Sequence, residues 1–169
     1  MNKKIKLIFD LDGIFRNLVT VIEKEYNDGK PIVHWYQKMN NGKILPDIID
    51  EDLEILVKAP KTEYFDIIMQ YVSFPIIWTY QPIEWRGFMY RWLDKYMDGK
   101  YGVVLLNPKQ KYDKLKELKD TYLVEDYPKF PSYEKIILID RPYNQEVDAP
   151  IRIKTPEELE VWLRRNNEK

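Results

Sequence analysis

The stretch KLIFDLDGIF, residues 6–15, runs a short apolar segment straight into two aspartates, Asp10 and Asp12, with Gly13 directly behind them. A nearly continuous apolar run of this length is what a strand buried on both faces of a parallel sheet requires. Ending it in two carboxylates and a glycine places acidic groups at a turn, where a glycine eases the change of direction. A calcium-binding loop would set a third acid before the glycine, and Gly13 follows Asp12 immediately.

The rest of the chain extends this pattern. "FPIIWTY" and "YGVVLLN" read as a second and third strand, "TYLVED" as a fourth and "KIILIDRP" as a fifth. Helical spacing falls between them: "FRNLVTVIEKEYND" carries Leu18, Val19, Ile22 and Tyr26 on one side, "IEWRGFMYRWLDKYM" is amphipathic, and "KQKYDKLKELKD" is a charged helix. The last helix has the clearest start, with Thr155 as N-cap, Pro156 at the first helical position and Glu158 completing a capping box. Strands alternating with helices predict an α/β fold of three layers on a mostly parallel, five-stranded sheet. Residues 16–73, punctuated by Pro31, Pro46 and Pro60, read as a small, mainly helical cap inserted after the first strand; residues 1–15 and 74–169 form the core.

Length and composition agree with a single core of this kind. The 169 residues are 44% hydrophobic and 14% aromatic with only 6 glycines, which describes an ordered globular chain. With 27 Lys+Arg against 28 Asp+Glu, no global basic field draws it to nucleic acid or anionic lipid. The absence of cysteine rules out disulfides, thiolate metal sites and a cysteine nucleophile, and suits a reducing cytoplasm. Asp10 interrupts the first apolar run too early for a signal peptide, and no segment is apolar for long enough to cross a membrane.

In parallel sheets of this type ligands bind beyond the carboxyl ends of the strands. The first run ends in Asp10 and Asp12, the second in Thr79, the third leads toward Lys109 and Lys111, and the fourth ends in Glu125 and Asp126. Converging carboxylates raise one another's pKa unless a hard dication such as Mg²⁺ sits between them. A dication with a hydroxyl and a lysine beside it neutralises the oxygens of a phosphoryl group, leaving one carboxylate free to attack phosphorus.

On these residues the chain resembles the haloacid dehalogenase superfamily of phosphohydrolases. "FDLDGIF" is similar to the family's first motif, "IIWT" to its second, and "YLVEDYP" to the acidic fourth motif as the 5'(3')-deoxyribonucleotidase branch writes it. The resemblance implies a Rossmann-like core, Asp10 as nucleophile forming an aspartyl-phosphate, and Asp12 as general acid and then base. It further implies Mg²⁺ held by the Asp10 side chain, the Asp12 main-chain carbonyl and Asp126, with Thr79 hydrogen-bonded to a phosphoryl oxygen and a third-motif lysine orienting the nucleophile. Lys109, Lys111 and Lys114 compete for that last role, with Lys111 favoured, and Asp140 in "LIDRP" rivals Asp126.

The function this implies is hydrolysis of nucleoside monophosphates, above all deoxyribonucleotides. The alternatives are a phosphatase of nucleic-acid ends, as in polynucleotide kinase-phosphatases, and a non-catalytic binding module of the same fold. Phe15, Trp35 and Tyr80 are the candidates for contact with the leaving group, beside Tyr36 and Trp78; the lone His34 has no companion ligands and reads as structural. The oligomeric state is left open, a homodimer being one option.

Overall fold

A computed structural model describes residues 5–167. The chain runs β1 (Lys6–Phe9), α1 (Leu18–Tyr26), α2 (Leu45–Glu51), α3 (Ile55–Lys58), α4 (Phe65–Tyr71), β2 (Ile76–Thr79), α5 (Arg86–Met97), β3 (Gly102–Leu105), α6 (Pro108–Glu117), β4 (Thr121–Glu125), β5 (Ile136–Ile139), β6 (Ile151–Ile153) and α7 (Pro156–Asn167). Short 3₁₀ turns sit at Ile83–Trp85 and Pro142–Asn144. The strands form one sheet in the order β3-β2-β1-β4-β5-β6, and every pairing is parallel.

The sheet therefore has six strands where the sequence predicts five. The extra strand, β6, is three residues long with Arg152 at its centre, too short to show an alternation and interrupted by a charge. Arg152 is used locally: its guanidinium donates to Asp140 Oδ1 at 2.6 Å and reaches back to the Asn144 carbonyl, which blunts an exposed sheet edge.

Successive strand residues point to opposite faces, and each face has its own core. Phe9, Ile77, Val124, Ile137 and Ile139 meet α4, α5 and α7 through Phe65, Ile68, Met89, Trp92, Leu159 and Leu163. Ile8, Trp78, Leu123, Ile136 and Leu138 meet α6 through Leu115, with Phe130. This is the three-layer α/β arrangement that alternating strands and helices predict.

The chain order reverses beside β1, which pairs with β2 on one side and with β4 on the other. A crevice at the carboxyl ends of β1 and β4 is the topological switch point of such a sheet, the place where ligands bind.

The insertion is joined to the core by a narrow neck. The Asn17 N–H donates to Pro60 O at 2.8 Å and the Thr62 N–H to Phe15 O at 2.8 Å, so residues 15–17 and 60–62 pair as they leave and return. Between them α1, α2 and α3 build a separate cluster from Leu18, Ile22, Ile48, Ile49, Ile55 and Leu56, to which Trp85 belongs. Helix α4, counted with the insertion in the sequence reading, packs on α7 and the sheet instead.

Phe15 corrects a second expectation. Read as a contact for the leaving group, it is fully buried, and its ring meets Phe9 at 5.4 Å and Phe65 at 5.8 Å, both edge-on. The backbone turns back at this point, with the Phe15 and Arg16 N–H groups both donating to Leu11 O, and drives the ring into the core. Trp78 is likewise a core residue, on the opposite face. Phe15→Ala should therefore cost about 3–5 kcal/mol of folding stability in a denaturant titration. A loss of substrate affinity with unchanged stability would contradict the core assignment.

Candidate active site

Strand β1 stops at Phe9, and the backbone after it closes a tight loop. Asp10 still donates its N–H to Val124 O at 2.8 Å, and Gly13 donates to Arg16 O at 2.8 Å. Gly13 has φ +79°, and a Cβ on it would lie 1.7 Å from Asp126 Oδ2. The glycine is required twice, by its left-handed backbone and by the carboxylate pressed against it.

At the rim of the sheet a lysine joins two strands. Helix α6 starts at an Asn107 cap, whose side chain accepts from the Gln110 N–H at 2.9 Å, with Pro108 at its first position. Its first turn carries Lys111, buried, to within 2.6 Å of Asp10 Oδ1 and 2.9 Å of Glu125 Oε2. Glu125 Oε1 accepts the N–H groups of Asp126 and Tyr127 at 3.1 and 3.2 Å, which leaves Glu125 fully partnered. Lys109 instead pairs with Asp113 in solvent, and Lys114 is exposed.

Asp126 is fixed from the β5 side. Tyr143 O–H donates to its Oδ2, and Asn144 Nδ2 bridges the carbonyls of Asp126 and Ile139 at 2.9 and 2.8 Å. Arg141 ties the same loop to the acidic turn by donating to Gly13 O at 2.6 Å. The rival acid, Asp140, is bound to Arg152 and does not line the cavity described below.

Asp12 has a different set of partners. Arg16, fully buried, donates Nε and Nη2 to its two oxygens at 2.6 and 3.0 Å, and Gln81 Nε2 adds a third bond at 2.8 Å. The same Gln81 nitrogen reaches Thr79 Oγ1 at 3.1 Å. Arg16 also donates to Leu56 O at 3.2 Å, so one guanidinium links Asp12 to the insertion.

One cavity of about 350 Å³ is lined by Asp10, Asp12, Thr79, Lys111, Glu125 and Asp126 on the sheet side. Trp35 and Tyr80, both predicted for the leaving group, line it too, together with Tyr36; Trp35 is braced edge-on against Tyr143 at 5.4 Å. His34 is exposed and lies outside this cavity. The sequence reading missed Arg16, Gln81, Arg141, Tyr143 and Asn144; their shared signal is that they follow strand ends or the acidic turn.

Oxygens of Asp10, Glu125 and Asp126 lie within 4.8 Å of one another, with Lys111 as the ammonium between them. Burial first, and then Glu125, raise Asp10 well above the ordinary carboxylate range, against the pull of Lys111. Burial and Glu125 push Asp126 up to about 7, although the Tyr143 hydrogen bond acts the other way. Burial alone would lower Lys111, and the facing Asp10 and Glu125 outweigh it, so its ammonium is held above its usual value. An all-oxygen donor set with excess negative charge suits a hard dication. A comparison with protein-family models and one with curated proteins return no match to this chain.

These shifts set a pH signature for the chelator-treated protein. The folded chain holds the Asp126 proton up to about pH 7, whereas an unfolded carboxyl loses it near ~4. Stability from this group is complete below ~4 and is lost as pH rises through about 7. The melting temperature without divalent cations should fall by several degrees between pH 5 and 8, and a divalent cation held by these oxygens should restore more of it at pH 8 than at pH 5. A Mg²⁺ effect independent of pH would argue against these carboxylates as its ligands.

Proposed function

We propose that the chain is a Mg²⁺-dependent phosphomonoester hydrolase of the haloacid dehalogenase type, acting most naturally on nucleoside monophosphates, with deoxyribonucleotides favoured. The observation that carries this reading is the convergence of Asp10, Asp12, Thr79, Lys111 and Asp126 on one cavity at the sheet's switch point. Five residues drawn from four separate parts of the chain supply a nucleophile, a proton carrier, a hydroxyl, an ammonium and a metal ligand.

In the first half-reaction a carboxylate oxygen of Asp10 attacks phosphorus and the ester oxygen departs with a proton relayed by Asp12, which must first take that proton from solvent because both of its oxygens accept from Arg16. In the second, the Asp12 carboxylate takes a proton from water as that water attacks the phosphoryl group, and inorganic phosphate and free Asp10 result. Lys111 aims Asp10 through its 2.6 Å bond and offsets the negative charge gathering there. Thr79 Oγ1, held by Gln81, offers a hydrogen bond to a phosphoryl oxygen. Asp10 and Asp126 would hold the Mg²⁺, with Glu125 adjacent; the ion supplies neutralisation of the phosphoryl oxygens.

The apolar and aromatic walls contributed by the insertion limit bulk solvent around the reacting groups and offer ring faces to a base. They support a small-molecule ester over a nucleic-acid end, because no basic track leads to the cavity among its lining residues.

Asp10→Asn should lower phosphate release from an aryl phosphate at least about a thousandfold with the fold intact by circular dichroism. Undiminished turnover would refute the mechanism. Asp12→Asn should turn over slowly and, with a good leaving group, accumulate acid-stable phosphate on the protein, detectable as a mass increase.

A further inference from the structure

The cavity is asymmetric in charge. Its lining contains five carboxylates, those of Asp10, Asp12, Asp50, Glu125 and Asp126, and a single ammonium, Lys111, which is already bound to Asp10 and Glu125. Four of the five acids belong to the machinery at the sheet rim. Asp50 does not: it lies in α2, in the wall made by the insertion, among Leu45, Pro46 and Ile49.

Asp50 is held in place by a ring that also lines the cavity. Trp85 Nε1, from the 3₁₀ turn that follows β2, donates to Asp50 Oδ1 at 2.6 Å. Asp50 Oδ2 has no hydrogen-bond partner among the described residues, and the side chain is accessible. An ionised carboxylate only accepts, so the free oxygen recognises a donor and repels an anion.

We infer that Asp50 is a specificity residue, selecting phosphomonoesters whose leaving group is flat, carries no second anionic group and presents a hydrogen-bond donor to the insertion. This rests on the phosphomonoesterase reading above and narrows it. A second phosphate or carboxylate on the substrate meets no unengaged cation in the cavity lining and faces Asp50, whereas an amine-bearing base satisfies Oδ2 and packs against the indole that positions it. Nucleoside monophosphates with amino-substituted bases belong to this class; bisphosphorylated nucleosides and oligonucleotide ends do not.

Three substrates test it with the full chain and Mg²⁺: deoxyadenosine 5'-monophosphate, the purine deoxyriboside 5'-monophosphate that lacks only the amine, and deoxyadenosine 3',5'-bisphosphate. The amine should raise kcat/KM about tenfold, mainly through KM. The second phosphate should lower it at least about a hundredfold. In Asp50→Asn the amide oxygen can still accept from Trp85 while its NH₂ faces the ligand, so the preference for the amine should vanish or reverse. Wild-type protein indifferent to the amine, or a variant that keeps the preference, overturns the inference. Failure to release phosphate from any ester overturns the phosphomonoesterase reading instead. Quenching of the cavity tryptophans, Trp35 and Trp85, by the same ligands then measures selectivity without turnover, and equal affinities would overturn the role of Asp50.

Discussion

Two acids on neighbouring parallel strands, Asp10 after β1 and Glu125 at the end of β4, are drawn together by one buried ammonium from α6. Lys111 is the fixed point of the rim. Its stem is buried in the first turn of a helix whose next turn drops Leu115 into the core beneath the sheet, so the charge is positioned by packing as well as by pairing. Removing either partner would leave buried charge uncompensated, which is the costly half of any buried ion pair. The geometry of Asp10 is consequently set by the fold.

Arg16 does the same for Asp12, but through the insertion. A guanidinium can engage both carboxylate oxygens, the Leu56 carbonyl and the Gln81 amide at once, because it presents five donors on a rigid plane. Its backbone lies in the neck, paired with Lys61, and its charge sits 6.0 Å from the centroid of Trp92. The orientation of Asp12 therefore depends on the docking of α3, whereas that of Asp10 depends on the sheet and on α6. The insertion braces the rim as well as covering it.

The rim was legible in the sequence because polar residues that stop apolar runs mark strand ends, and Asp10, Asp12, Thr79 and Asp126 all obey that rule. Lys109, Lys111 and Lys114 stayed in competition in the sequence, and it is the structure that puts Lys111, four residues before Leu115, on the buried face of α6. What stayed hidden were polar residues buried by tertiary structure. Arg16 and Gln81 look like ordinary loop residues until the neck closes over them. Phe15 misled for the complementary reason: an aromatic residue just past an acidic motif suggests a ligand contact, and only the reversal of the chain at Leu11 turns it inward. Helix α4 is amphipathic in either setting, so its sequence could not say which apolar surface it covers.

Charge balance gives the site its internal logic. Four carboxylates at the rim, Asp10, Asp12, Glu125 and Asp126, face two buried cations, Lys111 and Arg16, so two negative charges lack a partner. Two of the acids, Asp10 and Asp126, are the ones raised in proton affinity, chiefly by burial and by Glu125. Two protons, or one dication in their place, restore neutrality at the same oxygens. The apolar walls strengthen this demand, since charges beside them are screened less than in water. Protons satisfy the acids but leave Asp10 uncharged; a dication would satisfy them and leave it ionised. On the proposed mechanism, which needs an ionised Asp10, only a cation-bound form would be competent, a consequence of how many acids the sheet brings together.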